Sequence, residues 1–156
     1  MNLELLFALS SAAVLPAWLL LIFAPSWSWT TRIAHSIWIP ALLAVLYLVV
    51  LLTSGPPPEG GSFFTLQGLV IFFSRPQLVL LGWIHFLAFD LFVGAWEARD
   101  AKRNEIPHAW LVPCLLCTYM LGPVGLLLYF GVRGTLRRTA GLAEQSAVEQ
   151  GARERP

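Results

Sequence analysis

Four long runs of apolar residues, separated by short polar or proline-rich stretches, dominate the pattern along the chain. The runs cover residues 3–24, 33–53, 77–97 and 107–132. Each is close to the length of about 20 apolar residues that a helix needs to cross a bilayer. The pattern therefore predicts an all-α, polytopic membrane protein built as a bundle of four transmembrane helices.

A fifth apolar stretch, at 62–74, is too short to cross a bilayer. It follows a loop rich in proline and glycine at 54–61, where a helix cannot continue. We therefore expect a short interfacial helix between the second and third spans. The predicted organisation is a transmembrane helical domain over 1–136 and a polar C-terminal tail over 137–156.

Composition supports a membrane location and argues against nucleic acid as a partner. Hydrophobic residues make up 57% of the chain and charged residues 12%, whereas soluble domains have about 45–50% and about 25%. A net charge of +1 produces no strong field for nucleic acid. Membrane lipid is the expected environment.

Four spans would place both termini on one side of the membrane and divide the basic residues between the two sides. One side would carry Arg32, Arg99, Lys102 and Arg103, and the other would carry Arg75, Arg133, Arg137 and Arg138. Because basic residues normally mark the cytoplasmic side, this even division does not decide the orientation.

Asp90 is the most informative residue, because it lies well inside the apolar third span. A carboxylate at the bilayer centre costs at least about 2.5–3.5 kcal/mol on insertion scales. We expect Asp90 to face the bundle interior with a partner, or to be protonated. Acids inside membrane spans are usually functional, although a simple hydrogen bond to a neighbouring helix is the alternative.

Several neighbours of Asp90 are candidates for the same site. Glu97 lies seven residues after Asp90 on the same helix face. His85 lies five residues before it, well around the helix, and joins the site only if the cavity is broad. The predicted substrate-binding residues, which suit an elongated apolar ligand, are Trp83, Phe86, Phe89, Gly94, Trp96 and Tyr119.

No metal site and no cofactor are predicted. Glu97, Asp100 and His108 lack the dense spacing of a metal site. A haem held between His35 and His85 is an alternative, but two histidines on different spans are a weak basis for it.

Two further kinds of chemistry find little support in the sequence. The one lysine, Lys102, lies outside the spans, so no buried amine is available for a retinal Schiff base. Cys114 and Cys117 form a C-x-x-C motif within an apolar run and without a βαβ context, which favours two inert thiols.

The third span contains the run GWIHFLAFDLFVG at 82–94, followed by WEARDA at 96–101. Other motifs occur in order along the chain: PAWLL at 16–20, GSF at 61–63, IPH at 106–108, PCL at 113–115 and GPVGL at 122–126. Over about residues 5–133 these motifs resemble the neoxanthin-synthase-like family of membrane proteins, also described as abscisic-acid-deficient-4-type.

The resemblance implies a carotenoid as the apolar partner and an isomerase as the activity. Plant members are associated with converting violaxanthin to neoxanthin, in which an epoxide opens while a proton leaves to form an allene. Such a reaction needs an acid near the epoxide oxygen and a base near the carbon-bound proton. Asp90 suits the acid and His85 the base, with Glu97 as a further catalytic candidate.

Two other functions remain open at this point. The chain could instead be a non-enzymatic accessory or lipid-binding subunit of a membrane complex, in which Asp90 only joins two helices. A proton-coupled carrier would need a polar path, which four spans would form only as a homo-oligomer. The lack of an obvious N-terminal transit peptide leads us to expect a bacterial member in the inner membrane.

Overall fold

The computed structural model describes residues 2–137, which form seven α-helices and no strand. The helices are α1 (Leu3–Phe23), α2 (Ser28–Ile33), α3 (Trp38–Thr53), α4 (Leu66–Phe72), α5 (Pro76–Arg103), α6 (His108–Leu121) and α7 (Pro123–Arg137). The all-α prediction is confirmed. Of the predicted polar tail, Arg137 ends α7, and 138–156 lie outside the described residues.

Three stretches are long and apolar enough to cross a membrane. They are α1, the pair α2 and α3 taken together over Ser28–Thr53, and α5. These stretches correspond to the first three predicted spans. Helices α6 and α7 are apolar but contain only 14 and 15 residues, fewer than the roughly 20 needed for a crossing. The predicted count of four spans is therefore not confirmed.

The fourth predicted span is a helical hairpin and not one continuous helix. Its course can be followed along α5: Thr118 lies beside Glu97, and Gly122 lies beside Asp90, further back along α5. By Tyr129 the chain has returned to the turn of α5 that follows Glu97. Helices α6 and α7 therefore run antiparallel, and the tip of the hairpin lies at the midpoint of α5.

Glycine and proline explain the reversal. Gly122 ends α6 with φ +52° and ψ −103°, a conformation that side-chain-bearing residues rarely adopt. Pro123 then begins α7 at the first helical position, where its missing N–H has no cost. One turn on, a Cβ at Gly125 would lie 2.0 Å from the backbone N of Thr118. The glycine therefore lets the two helices touch through their backbones.

Helix α5 is the centre of the bundle and packs against α1, α3 and the hairpin. Apolar side chains fill these contacts, and the fully buried ones include Val14, Leu21, Leu43, Ile84, Leu91 and Leu115. Most large apolar side chains on the far sides of α1 and α3 are exposed, which is the pattern of a bundle surrounded by lipid. The side of α5 that faces the hairpin is therefore an interior surface.

The bundle has two distinct ends. At the loop end, Arg75 donates hydrogen bonds to the carbonyl oxygens of Pro56 and Ser54, at 2.8 and 2.6 Å. The adjacent helix α4 is N-capped by Thr65, whose side chain accepts a hydrogen bond from the Gly68 N–H. A helix therefore exists within the predicted interfacial segment 62–74, and its placement at a membrane surface stays a prediction.

The opposite end, which we call the basic end, holds the start of the hairpin. His108 donates a hydrogen bond from Nε2 to the Ile22 carbonyl at 2.8 Å, and Arg99 lies 3.4 Å from Nδ1 of His35. Among the described residues, the basic end carries Arg32, Arg99, Lys102, Arg103, Arg133 and Arg137, whereas the loop end carries Arg75 alone. The prediction that grouped Arg133 and Arg137 with Arg75 is wrong, because the reversal at Gly122 returns α7 to the basic end.

Candidate functional site

Asp90 lies at the midpoint of α5 and is half-buried. Its Oδ2 atom is buried and has no hydrogen-bond partner. Among the described residues, only one other buried side-chain atom lacks a hydrogen bond, the Nε of Arg133, and it lies 3.0 Å from the carboxylate of Asp100. Among the acidic residues that the structure describes, Asp90 is therefore the one with a buried oxygen that has no hydrogen-bond partner.

The tip of the hairpin faces this carboxyl group. A Cβ placed on Gly122 would lie 3.0 Å from Oδ1 of Asp90 and 3.4 Å from the ring of Phe86. Because Gly122 has no side chain, the carboxyl group of Asp90 can lie directly beside the backbone of the turn. The acid thus lies neither in bulk solvent nor against fully packed neighbours.

Glu97 has a different environment, although it shares a helix face with Asp90. Its side chain is fully buried, and the Thr118 hydroxyl lies 2.9 and 3.1 Å from its two carboxyl oxygens. This contact joins α5 to α6. The single Thr118 hydrogen is shared between the two oxygens, and Glu97 has no exposed surface, so its side chain holds the hairpin.

Asp100 forms a second buried contact with the hairpin. Tyr129 donates a hydrogen bond to Oδ2 of Asp100 at 2.6 Å, and the Nε of Arg133 lies 3.0 Å from the same oxygen. Asp100 and Arg133 are each 6% exposed, so this end of α5 is covered by the hairpin and is not a solvated helix end. In the sequence, this contact could have been suspected from Tyr129 and Arg133, which are four residues apart and therefore share one helix face. We name Glu97, Thr118, Asp100, Tyr129 and Arg133 the anchoring cluster.

His85 does not join Asp90. Its exposed ring stacks on Phe89, with centroids 4.4 Å apart and planes at 25°, and Phe89 is itself 59% exposed. Five residues on a helix correspond to about 140° of rotation, so the two side chains point in different directions. His35 contacts Arg99, which lies 14 residues beyond His85, or about 21 Å along the helix. The geometry therefore does not bring the two histidines to one haem.

Three of the predicted substrate-binding residues are used in helix packing. Gly94 lies against the indole of Trp18, and a Cβ there would come within 2.5 Å of that ring. Tyr119 packs on the same indole, with centroids 5.3 Å apart. Trp96 meets the ring of Tyr129 edge-on at 5.7 Å. Trp18 therefore fills the space beside Gly94, where a substrate contact was predicted.

Trp83 and Phe86 do lie next to the candidate acid. Their rings stack with centroids 5.7 Å apart and planes at 23°. Phe86 also faces the hairpin turn beside Asp90, because a Cβ on Gly122 would lie 3.4 Å from its ring. These two aromatic residues and the acid form one continuous surface on the loop-end half of α5.

The described residues contain no group of three His, Cys, Asp or Glu side chains placed to hold a metal ion. His108, considered above with Glu97 and Asp100, instead bonds the end of α1. The site itself presents the Asp90 carboxyl group beside the aromatic rings of Trp83 and Phe86.

Comparison with known proteins identifies the family. Residues 5–129 match the family model described as ABA DEFICIENT 4-like. The chain is 30% identical over 133 residues to Protein ABA DEFICIENT 4, chloroplastic, of Arabidopsis thaliana, covering 80% of this chain and 58% of that protein. No solved structure shows significant similarity. The relative's chloroplast location gives no support to a bacterial inner membrane. The chain belongs to the ABA DEFICIENT 4-like family.

Proposed function

We propose that the protein is embedded in a membrane and acts in a carotenoid pathway, as an isomerase of a xanthophyll-like epoxide. Family membership supports the pathway, and the three long apolar stretches support the membrane location. The chain spans 58% of its plant relative's length, so the activity is a proposal for this chain and is not transferred from the relative.

The free Oδ2 of Asp90 is the observation that carries this proposal. Leaving a buried polar group without a hydrogen bond is costly, and each polar residue of the anchoring cluster already has a partner within that cluster. A substrate oxygen bound at Asp90 would supply the missing partner. In its acid form, Asp90 would then donate a proton to that oxygen.

The proposed step needs one proton donor and one proton acceptor. Asp90 gives its proton to the epoxide oxygen as the carbon–oxygen bond breaks, and the oxygen becomes a hydroxyl. The neighbouring carbon then loses its proton, and the electron pair of that C–H bond forms the second double bond of the allene. The Asp90 carboxylate takes up this proton and returns to its acid form, because His85 points elsewhere and Glu97 is bound to Thr118. No oxidant or reductant is required.

Turnover of violaxanthin by the purified protein in mild detergent tests the proposal, with the pigment products separated by chromatography. Asp90→Asn should lower turnover by about 10²–10⁴-fold, the usual contribution of a general acid–base group. His85→Phe and Glu97→Gln are the matched controls and should stay near the wild-type rate. Elution volume on size exclusion verifies that each variant is folded.

Each outcome of this experiment has a distinct meaning. A folded Asp90→Asn protein with wild-type turnover would exclude the proposed acid. Loss of turnover in His85→Phe would instead restore the two-residue scheme with His85 as base. A wild-type protein that binds the pigment without converting it would favour the non-enzymatic, carotenoid-binding alternative.

A further inference from the structure

The hairpin covers only half of α5, and the uncovered half presents aromatic side chains. Between Asp90 and the loop end, the neighbouring surface is formed by Phe86 and Trp83 of α5 together with Phe7 of α1. The rings of Phe7 and Trp83 lie 5.1 Å apart, and those of Trp83 and Phe86 lie 5.7 Å apart. We name Phe7, Trp83 and Phe86 the aromatic strip.

The central ring of the strip is held in position. The indole N–H of Trp83 donates a hydrogen bond to the Ser11 hydroxyl at 2.9 Å, across the contact between α1 and α5. This bond fixes the ring plane and satisfies the polar atom, so the indole packs against Phe7 and Phe86 without an unpaired N–H. Phe7 is 43% exposed, and Trp83 and Phe86 are half-buried, so a ligand can reach all three.

The strip ends at the candidate acid. Phe86 lies one helical turn from Asp90 and faces Gly122, where a Cβ would lie 3.4 Å from its ring, so the hairpin tip bounds the strip at that point. Trp83 lies seven residues from Asp90, about 10 Å along the helix. A long apolar molecule on the strip would therefore have one end at the carboxyl group and would extend toward the loop end.

We infer that the aromatic strip binds the conjugated chain of a carotenoid, with the oxygen-bearing end ring at Asp90 and the polyene directed toward the loop end. The inference rests on the proposed function, since that function places the reacting ring at Asp90. A flat polyene offers an extended π surface, and aromatic rings meet such surfaces edge-on or offset-stacked with a gain beyond simple burial. The strip provides three such rings in succession and ends one helical turn from Asp90, whose Oδ2 atom has no hydrogen-bond partner.

Binding can be measured without turnover, through the circular dichroism that the protein induces in violaxanthin and through quenching of tryptophan fluorescence. The test variants are Phe7→Leu, Phe86→Leu and the double variant. Phe92→Leu is the matched control, because Phe92 is 59% exposed and lies on the opposite side of α5 from Trp83. All four proteins replace a phenylalanine by the same apolar residue.

Each single strip variant should weaken binding about 2–10-fold, the range expected from losing one aromatic contact. The double variant should lose more than either single variant, and Phe92→Leu should bind like the wild type. A double variant that binds as tightly as Phe92→Leu would overturn the inference and leave the proposed function intact. A wild-type protein that neither binds nor converts violaxanthin would overturn both.

Discussion

Carboxyl groups on one face of α5 have opposite hydrogen-bonding environments at the two ends of the α6–α7 hairpin. At the mouth of the hairpin, Glu97 and Asp100 are buried and contact a hydroxyl group or a guanidinium group. At the tip, Asp90 has a buried oxygen without any partner. The mouth uses its polar groups to hold the hairpin, whereas the tip leaves one polar group available.

This difference has a physical basis in how the hairpin is held. Apolar helices gain little from association inside lipid, so close packing and polar contacts between helices supply the specificity. Near the basic end, the polar groups of the anchoring cluster are therefore already paired with one another across the helices. At the tip, the residue that faces Asp90 is Gly122, and a glycine has no side chain that could donate a hydrogen bond to the carboxyl group. A rigid mouth can therefore hold an unsatisfied acid at a fixed place.

The largest expected effect is an all-or-none difference in sidedness. Because basic residues remain on the side from which a protein inserts, the basic end should stay on that side. The C-terminus should share it, since α7 returns there. In a protein lacking Cys114 and Cys117, Ser26→Cys and a cysteine added after Pro156 should react with an impermeant thiol reagent from the same side.

Pro57→Cys, in the exposed loop at the other end, is the control and should react only from the opposite side. A continuous fourth span would give the contrary result, with the added C-terminal cysteine labelled together with Pro57→Cys. That outcome would remove the hairpin and, with it, the distinction between mouth and tip.

The next effect is on stability and separates the two regions directly. Asp100→Asn leaves the buried guanidinium of Arg133 without its counter-charge, a change that costs about 3–5 kcal/mol in buried ion pairs. Asp90→Asn breaks no hydrogen bond in the structure and should leave stability near that of the wild type. Denaturant titration of tryptophan fluorescence in detergent measures both changes.

A double-mutant cycle provides the control for Asp100. Adding Arg133→Met to Asp100→Asn removes the unpaired buried charge, and the amide oxygen of the asparagine can still accept the hydrogen bond from Tyr129. The double variant should therefore recover most of the lost stability. Equal destabilisation by Asp90→Asn and Asp100→Asn would show that Asp90 has a structural partner, and the free acid at the tip would no longer be supported.

The sequence predicted the parts of the molecule that depend on local pattern. Unbroken apolar runs identified α1, α3 and α5, and a lone acid within such a run identified Asp90. The prolines did not show where a helix ends, because Pro16 and Pro113 lie inside helices whereas Pro123 begins a new one. What distinguishes Pro123 is the preceding glycine with positive φ, a conformation that no apolar pattern reveals.

The parts that the sequence did not reveal depend on the reversal. Tyr129 and Arg133 meet Asp100 only because α7 folds back along α5, so a straight fourth span placed them at the wrong end. His85 was expected to join Asp90 only if the cavity was broad, and its exposed ring instead stacks on Phe89. Trp18 fills the space beside Gly94 from another helix, which no spacing within the third span could predict.

The smallest expected effect tests the close contact between the two helices of the hairpin. A Cβ on Gly125 would lie 2.0 Å from the backbone N of Thr118, and backbone atoms cannot yield as a flexible side chain does. Gly125→Ala should therefore cost about 1–3 kcal/mol, the usual range for overpacking. Gly131→Ala, on the same helix with nothing within 4 Å, is the matched control and should gain slightly from the higher helix propensity of alanine. Thermal unfolding of the two variants side by side measures the difference. If both behave alike, the helices are not in backbone contact, and the tip has no rigid support to hold it against Asp90.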